Sequence, residues 1–71
     1  MAVWVTQRDN GWAVKVEGND RASRVFQTQA EAEIYGRQLA KTLKTEFILT
    51  GRDGKIRTKD SYGNDPYPPR G

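Results

Sequence analysis

Lys55, Arg57 and Lys59 stand at every second position near the end of the chain. In an extended strand alternate side chains share a face, so the three cations would form a row spaced by roughly 6.5 to 7 Å. That spacing approaches the distance between successive phosphates on a nucleic-acid strand, where such a row would displace counterions. Arg52 lies just ahead of the row, and Lys15 sits in an earlier strand-like run. With Tyr62 or Trp4 as rings on which bases could stack, these residues are candidates for nucleic-acid contact. A Lys-rich last strand has a second use, because charge along a sheet edge blocks pairing with another edge.

Catalysis has less to work with. The chain has no His and no Cys, which removes disulfides, Cys/His metal sites and the usual nucleophile–base pairs. Asp60-Ser61-Tyr62 is the best set of reactive types, and nothing in the sequence supplies a base inside a pocket beside it. Gly51-x-x-Gly54 is too short to cradle phosphates and has no Gly-Lys-Ser/Thr after it. The expectation is a protein that is not an enzyme, with no catalytic residues, cofactor or metal.

Length sets the scale of what remains. Seventy-one residues make one domain, and a chain of this size buries only about 60 % of its unfolded surface. The net charge is +3. The stretch from Arg37 to Lys59 holds seven basic residues and two acidic ones, so it carries +5 and the remainder −2. Such polarity favours an anionic partner more than the total does. No apolar run approaches the ~20 residues of a membrane span, and there is no signal-peptide core, so the expected setting is cytoplasmic, with no membrane partner.

The elements that must position the cations can be read in order. Ala2 to Arg8 is a β-branched and aromatic run and predicts a strand. Asp9-Asn10-Gly11 is a turn, with Asn-Gly supplying positive φ. Trp12 to Glu17 returns, with Trp12, Val14 and Val16 on one face and Ala13, Lys15 and Glu17 on the other. Trp4 falls opposite Val3 and Val5, so one tryptophan is expected in the core and the other part-exposed. A polar loop leads to a short strand over Ser23 to Gln27. Thr28-Gln29-Ala30-Glu31 is a capping box and opens a helix to about Lys44. Its predicted inner face is Ala32, Tyr35, Gly36, Leu39 and Leu43. Ala30, Ile34, Arg37 and Lys41 fall outside, which makes Ile34 a candidate interface residue. Gly36 suggests a close approach of helix to sheet. Phe47 to Arg52 and Lys55 to Lys59 form the last hairpin, with Asp53-Gly54 as a two-residue type I′ turn. Three consecutive apolar residues, Phe47-Ile48-Leu49, suggest a strand buried on both faces or central in the sheet. Three prolines among Pro66 to Pro69 then predict an extended tail, which Tyr62 and Tyr67 could pin to the body.

Four blocks carry a resemblance: Gly11-Trp12-Ala13-Val14-Lys15, Thr28-Gln29-Ala30-Glu31-Ala32, Gly51-Arg52-Asp53-Gly54-Lys55-Ile56-Arg57 and Lys59-Asp60-Ser61-Tyr62-Gly63-Asn64-Asp65-Pro66-Tyr67-Pro68-Pro69. Together they resemble the small bacterial proteins of domain-of-unknown-function family 2188. The resemblance implies a bacterial or phage origin, a stand-alone small domain and a tail that belongs to it. It brings no assigned activity and no catalytic residue.

The reading is therefore an α+β domain over 1–71, with about five short strands in the order β-β-β-α-β-β packed on one helix. Residues 1–60 form a ββαβ-type core and 61–71 an extended Tyr/Pro-rich tail. The expected function is a small basic binding module that contacts nucleic acid through Arg52, Lys55, Arg57, Lys59, Lys15 and Tyr62. The alternative is a protein-protein or homodimeric accessory module that uses Ile34, Trp4 and Tyr67.

Overall fold

The computed structural model describes residues 1–18 and 22–63. The expected tail beyond Gly63, with the interface candidate Tyr67, and part of the polar loop after Gly18 lie outside the described residues. The elements are β1 (Ala2–Arg8), β2 (Gly11–Val16), β3 (Arg24–Phe26), α1 (Gln29–Leu43), β4 (Glu46–Thr50) and β5 (Ile56–Ser61). The expected α+β order, β-β-β-α-β-β, is the observed one.

One five-stranded mixed sheet runs β3-β2-β1-β4-β5. β1 and β4 pair in parallel, joined by the crossover through α1, and every other pair is antiparallel. Phe47-Ile48-Leu49 is buried throughout, as its unbroken apolar run suggested. The basic strand β5 is an edge. Two threonine hydroxyls fasten the parallel pair near its ends. Thr45 donates to the Met1 carbonyl and Thr50 donates to the Val5 carbonyl at 2.8 Å.

The first hairpin turns through Asp9-Asn10, with Arg8 opposite Gly11. Its left-handed residue is Asp9 (φ 51°), not one of the Asn-Gly pair that the sequence favoured. Asp, like Asn, tolerates that region through local hydrogen bonding of its short side chain.

α1 covers one face of the sheet. The Thr28 hydroxyl accepts the Glu31 N–H at 3.2 Å, as the capping box required. The helix ends one residue before Lys44, which adopts a left-handed conformation (φ 54°). Its contact stripe is Ala32, Gly36 and Ala40, four residues apart, flanked by half-buried Tyr35 and Leu39. Leu43, expected in that face, is left exposed. The stripe of small residues lets the helix lie close. A Cβ at Gly36 would come within 2.9 Å of the Phe47 ring and 3.0 Å of Val5 Cγ2. Val3, Val5, Trp12, Val14, Phe47 and Leu49 fill the space between helix and sheet. Trp12 is the core tryptophan and Trp4, on the uncovered face, the half-exposed one, as their alternation predicted. Among the described residues no helix is long and apolar enough to cross a membrane.

Candidate functional site

The geometry of the basic residues begins at the second hairpin. Gly54 N–H donates to the Gly51 carbonyl at 3.0 Å, and Gly51 N–H donates to the Lys55 carbonyl at 2.9 Å. Of the turn residues only Gly54 has positive φ (81°). Arg52-Asp53-Gly54 is thus a three-residue loop with a left-handed glycine at its end, and the two-residue type I′ turn is not formed. The Asp53 carboxylate accepts the Lys55 N–H at 3.0 Å and so stabilises the loop locally.

A second departure follows within three residues. Leu49 pairs with Thr58 and Thr50 with Ile56, so Arg57 is an extra residue in β5. Such a bulge interrupts the alternation of faces. The expected single row of Lys55, Arg57 and Lys59 is therefore broken. Lys55 lies between the loop and the start of β5. Lys59 lies opposite Ile48, on the face away from the helix. Arg57 instead packs over Gly51.

Arg57 there lines an open cleft of about 410 Å³, together with Arg52 and Gly51 from the hairpin, Trp12 from β2, and Gln27, Thr28 and Gln29 at the start of α1. Gln29 Nε2 donates to the Thr50 carbonyl at 3.2 Å and ties the helix start to the end of β4. Ala32 N–H is the first donor of the helical ladder, and Thr28 Oγ1 takes that of Glu31. The amides of Gln29 and Ala30 precede both, at the end of the helix that carries partial positive charge. Among the described residues Arg52, Lys55 and Arg57 take part in no ion pair. The arrangement is suited to holding an anion by charge and hydrogen bonding. No three acidic residues converge as a metal site among the described residues.

The other candidates lie elsewhere. Lys15 pairs with Trp4, Trp4 with Ile48 and Ile48 with Lys59. These four residues form one row across the uncovered face. Lys59 Nζ is 3.8 Å from Glu46. Tyr62 is held by the helix: its hydroxyl accepts from Arg37 Nη1 at 2.7 Å, and Lys41 Nζ stands 5.5 Å from its ring centroid. Ile34 is exposed on the outer side of α1, as expected.

Arg37 corrects the helical-wheel reading. Expected to face solvent, it reaches inward and lies over the Phe47 ring, 4.6 Å from its centroid. Its Nε donates to Glu33 at 2.9 Å and its Nη1 to Asp60 at 2.6 Å. The bond to Asp60, followed by those to Glu33 and Tyr62, pushes the guanidinium further above its ordinary value, with burial acting against the rise. A long aliphatic stem lets the charge reach past the helix surface. The participation of Trp12, Gln27 and Gln29 in the cleft was also not read from the sequence. The capping box marked where the helix begins, but not which turn would meet it.

The family described as "Uncharacterized protein conserved in bacteria" (DUF2188) matches residues 3–62. The chain belongs to this family. In DUF2188 terms, the matched region takes in all six elements but for Ala2, and with them every residue that lines the cleft. A further similarity is to the "Uncharacterized protein YdaT" of Bacillus subtilis (strain 168), 35 % identical over 60 residues. The alignment covers 84 % of this chain and 40 % of that protein, so the chain spans about two fifths of the length of the curated relative it matches. No solved structure matches the chain. Membership of DUF2188 accordingly carries the fold's extent and no assigned activity.

Proposed function

We propose that this protein is a non-enzymatic binding module that grips the backbone of nucleic acid through the hairpin-side cleft. The observation that carries the reading is the convergence of Arg52 and Arg57, both without an ion-pair partner among the described residues, on one cleft at the start of α1. Lys55 adds a third cation just after the adjoining loop. Arginine suits phosphate because its planar fork can bond two oxygens at once. The contacts would be to backbone and not to base edges, so the binding would have little sequence preference. A bacterial protein with this partner would act in the cytoplasm.

The test is fluorescence anisotropy with labelled mixed-sequence DNA and RNA oligonucleotides at several salt concentrations. Three phosphate contacts give a log–log salt slope of about −2 to −3. Changing Arg52, Lys55 and Arg57 together to Gln should weaken binding at least about tenfold and flatten the slope. Lys15→Gln with Lys59→Gln, on the other face, is the control and should change little. Binding that is absent at low salt, or unaffected by the triple change, overturns the proposal.

A further inference from the structure

A second recess adjoins the basic cleft at the same end of the sheet. It has a volume of about 350 Å³ and lies between the first hairpin, which contributes Arg8, Asp9 and Gly11, and the end of β3, which contributes Val25 and Phe26. Gln27 lines both hollows, so the two meet at that side chain. The hairpin can lie this close to β3 because residue 11 has no side chain. A Cβ there would collide with the Phe26 carbonyl and stand 3.5 Å from Val25 Cγ1. The two linings differ in chemistry. The cleft holds two arginines and no acid. In the recess Arg8 is accompanied by Asp9, so the formal charges cancel. Val25 is 56 % exposed, and with half-buried Phe26 it gives the recess an apolar wall.

A phosphate gains little from a wall without net charge. A nucleobase gains more, because it is flat, uncharged and apolar on both faces. Proteins that hold single strands combine cations for the backbone with side chains against which unpaired bases lie. The cleft and the recess supply these two parts side by side. We propose that the recess takes an unpaired base of the strand whose phosphate sits at Arg52 and Arg57, so that the ligand is single-stranded nucleic acid. The inference rests on the nucleic-acid reading and narrows it. A base within a duplex is paired and stacked, and it enters such a recess only by being flipped out at the cost of both. The contact is with the face of the base and not its edge, so it adds little sequence preference. Charge alone acts in the other direction. A duplex carries the denser line of phosphates and would be favoured by the arginines by themselves. Preference for a single strand therefore reports on the recess.

The test is fluorescence anisotropy at low salt with three labelled probes: mixed-sequence single strands of DNA and RNA, the matching duplexes, and a DNA strand of the same length built from abasic units. The abasic strand keeps every phosphate and lacks every base. The base-bearing single strand should bind at least about fivefold more tightly than either the duplex or the abasic strand. Val25→Ser removes apolar surface from the recess without changing charge. It should weaken binding of the base-bearing strand severalfold and leave the abasic strand unaffected, whereas loss of Arg52 and Arg57 weakens both. Circular dichroism checks that Val25→Ser is folded; the abasic comparison on the wild type decides the matter without it. Equal binding of the single strand, the duplex and the abasic strand overturns this inference and leaves the backbone grip standing. A Val25→Ser variant that is folded and binds the base-bearing strand normally also overturns it. No binding of any probe overturns both readings.

Discussion

Arg37 joins more parts of the molecule than any other described side chain. It bonds Glu33 on its own helix, Asp60 on β5 and the Tyr62 hydroxyl, and it covers the Phe47 ring. Lysine at this position would keep the charge but lose the planar stacking and the fork of donors. Arg37→Lys should lower stability by about 1 kcal/mol, discounted because the carboxylate partners are part-exposed. In a domain of this size that is a fall in melting temperature of about 4 to 8 °C, readable by thermal circular dichroism. The raised guanidinium value means that this contribution is complete below its ordinary titration and is lost only as pH rises beyond it. The loss on changing to lysine should therefore be unaltered across neutral pH.

At the scale of elements, the contact of α1 with the sheet decides what can be changed. Gly36→Ala would gain up to about 1 kcal/mol of helix propensity. Against this, the new methyl meets Phe47 and Val5 at 3.0 Å or less, and forced packing costs about 1 to 3 kcal/mol. The crowding should win, and chemical denaturation should give a variant less stable by about 1 kcal/mol. Gly36 itself was legible, because a glycine on the inward side of a predicted helix has few other reasons to be there. So were the capping box, the two tryptophan environments and the central position of Phe47-Ile48-Leu49. The bulge at Arg57 was not. Ile56-Arg57-Thr58-Lys59 alternates in type whether or not one residue is inserted into the ladder, so periodicity alone gives the same faces either way. The three-residue turn was hidden similarly, since Asp-Gly suits both the shorter and the longer loop. Together these two features separate Lys59 from Arg57, and they turn an expected line of charge into a cleft on the helix side and a lone lysine of that row on the other face.

For the whole molecule, stability should be graded from the centre of the sheet outward. β1 and β4 are flanked on both sides, whereas β3 is a three-residue edge and β5 a bulged one. Amide hydrogen exchange should be slowest for Val3, Val5, Phe47 and Leu49 and fastest in β3 and the outer half of β5. Equal protection in β3 and β1 would contradict this gradient. The parallel arrangement that sets it was only partly readable. A buried apolar run suggests a central strand, but no local pattern says which distant strand lies beside it.

The parallel pairing of β1 with β4 also governs the sequence of events during synthesis. Val3 meets Phe47, so β1 leaves the ribosome ahead of its parallel neighbour and waits for a residue made 44 positions later. Until then β1 has only its hairpin partner β2, and a lone two-stranded hairpin is at best marginally stable in water. The nascent chain must keep Val3 and Val5 from straying while α1 is still being made. Closing so long a separation makes the β1–β4 step the natural bottleneck of folding. β1 thus becomes fixed in the centre of the sheet only after β2, β3, α1 and β4 have all been made.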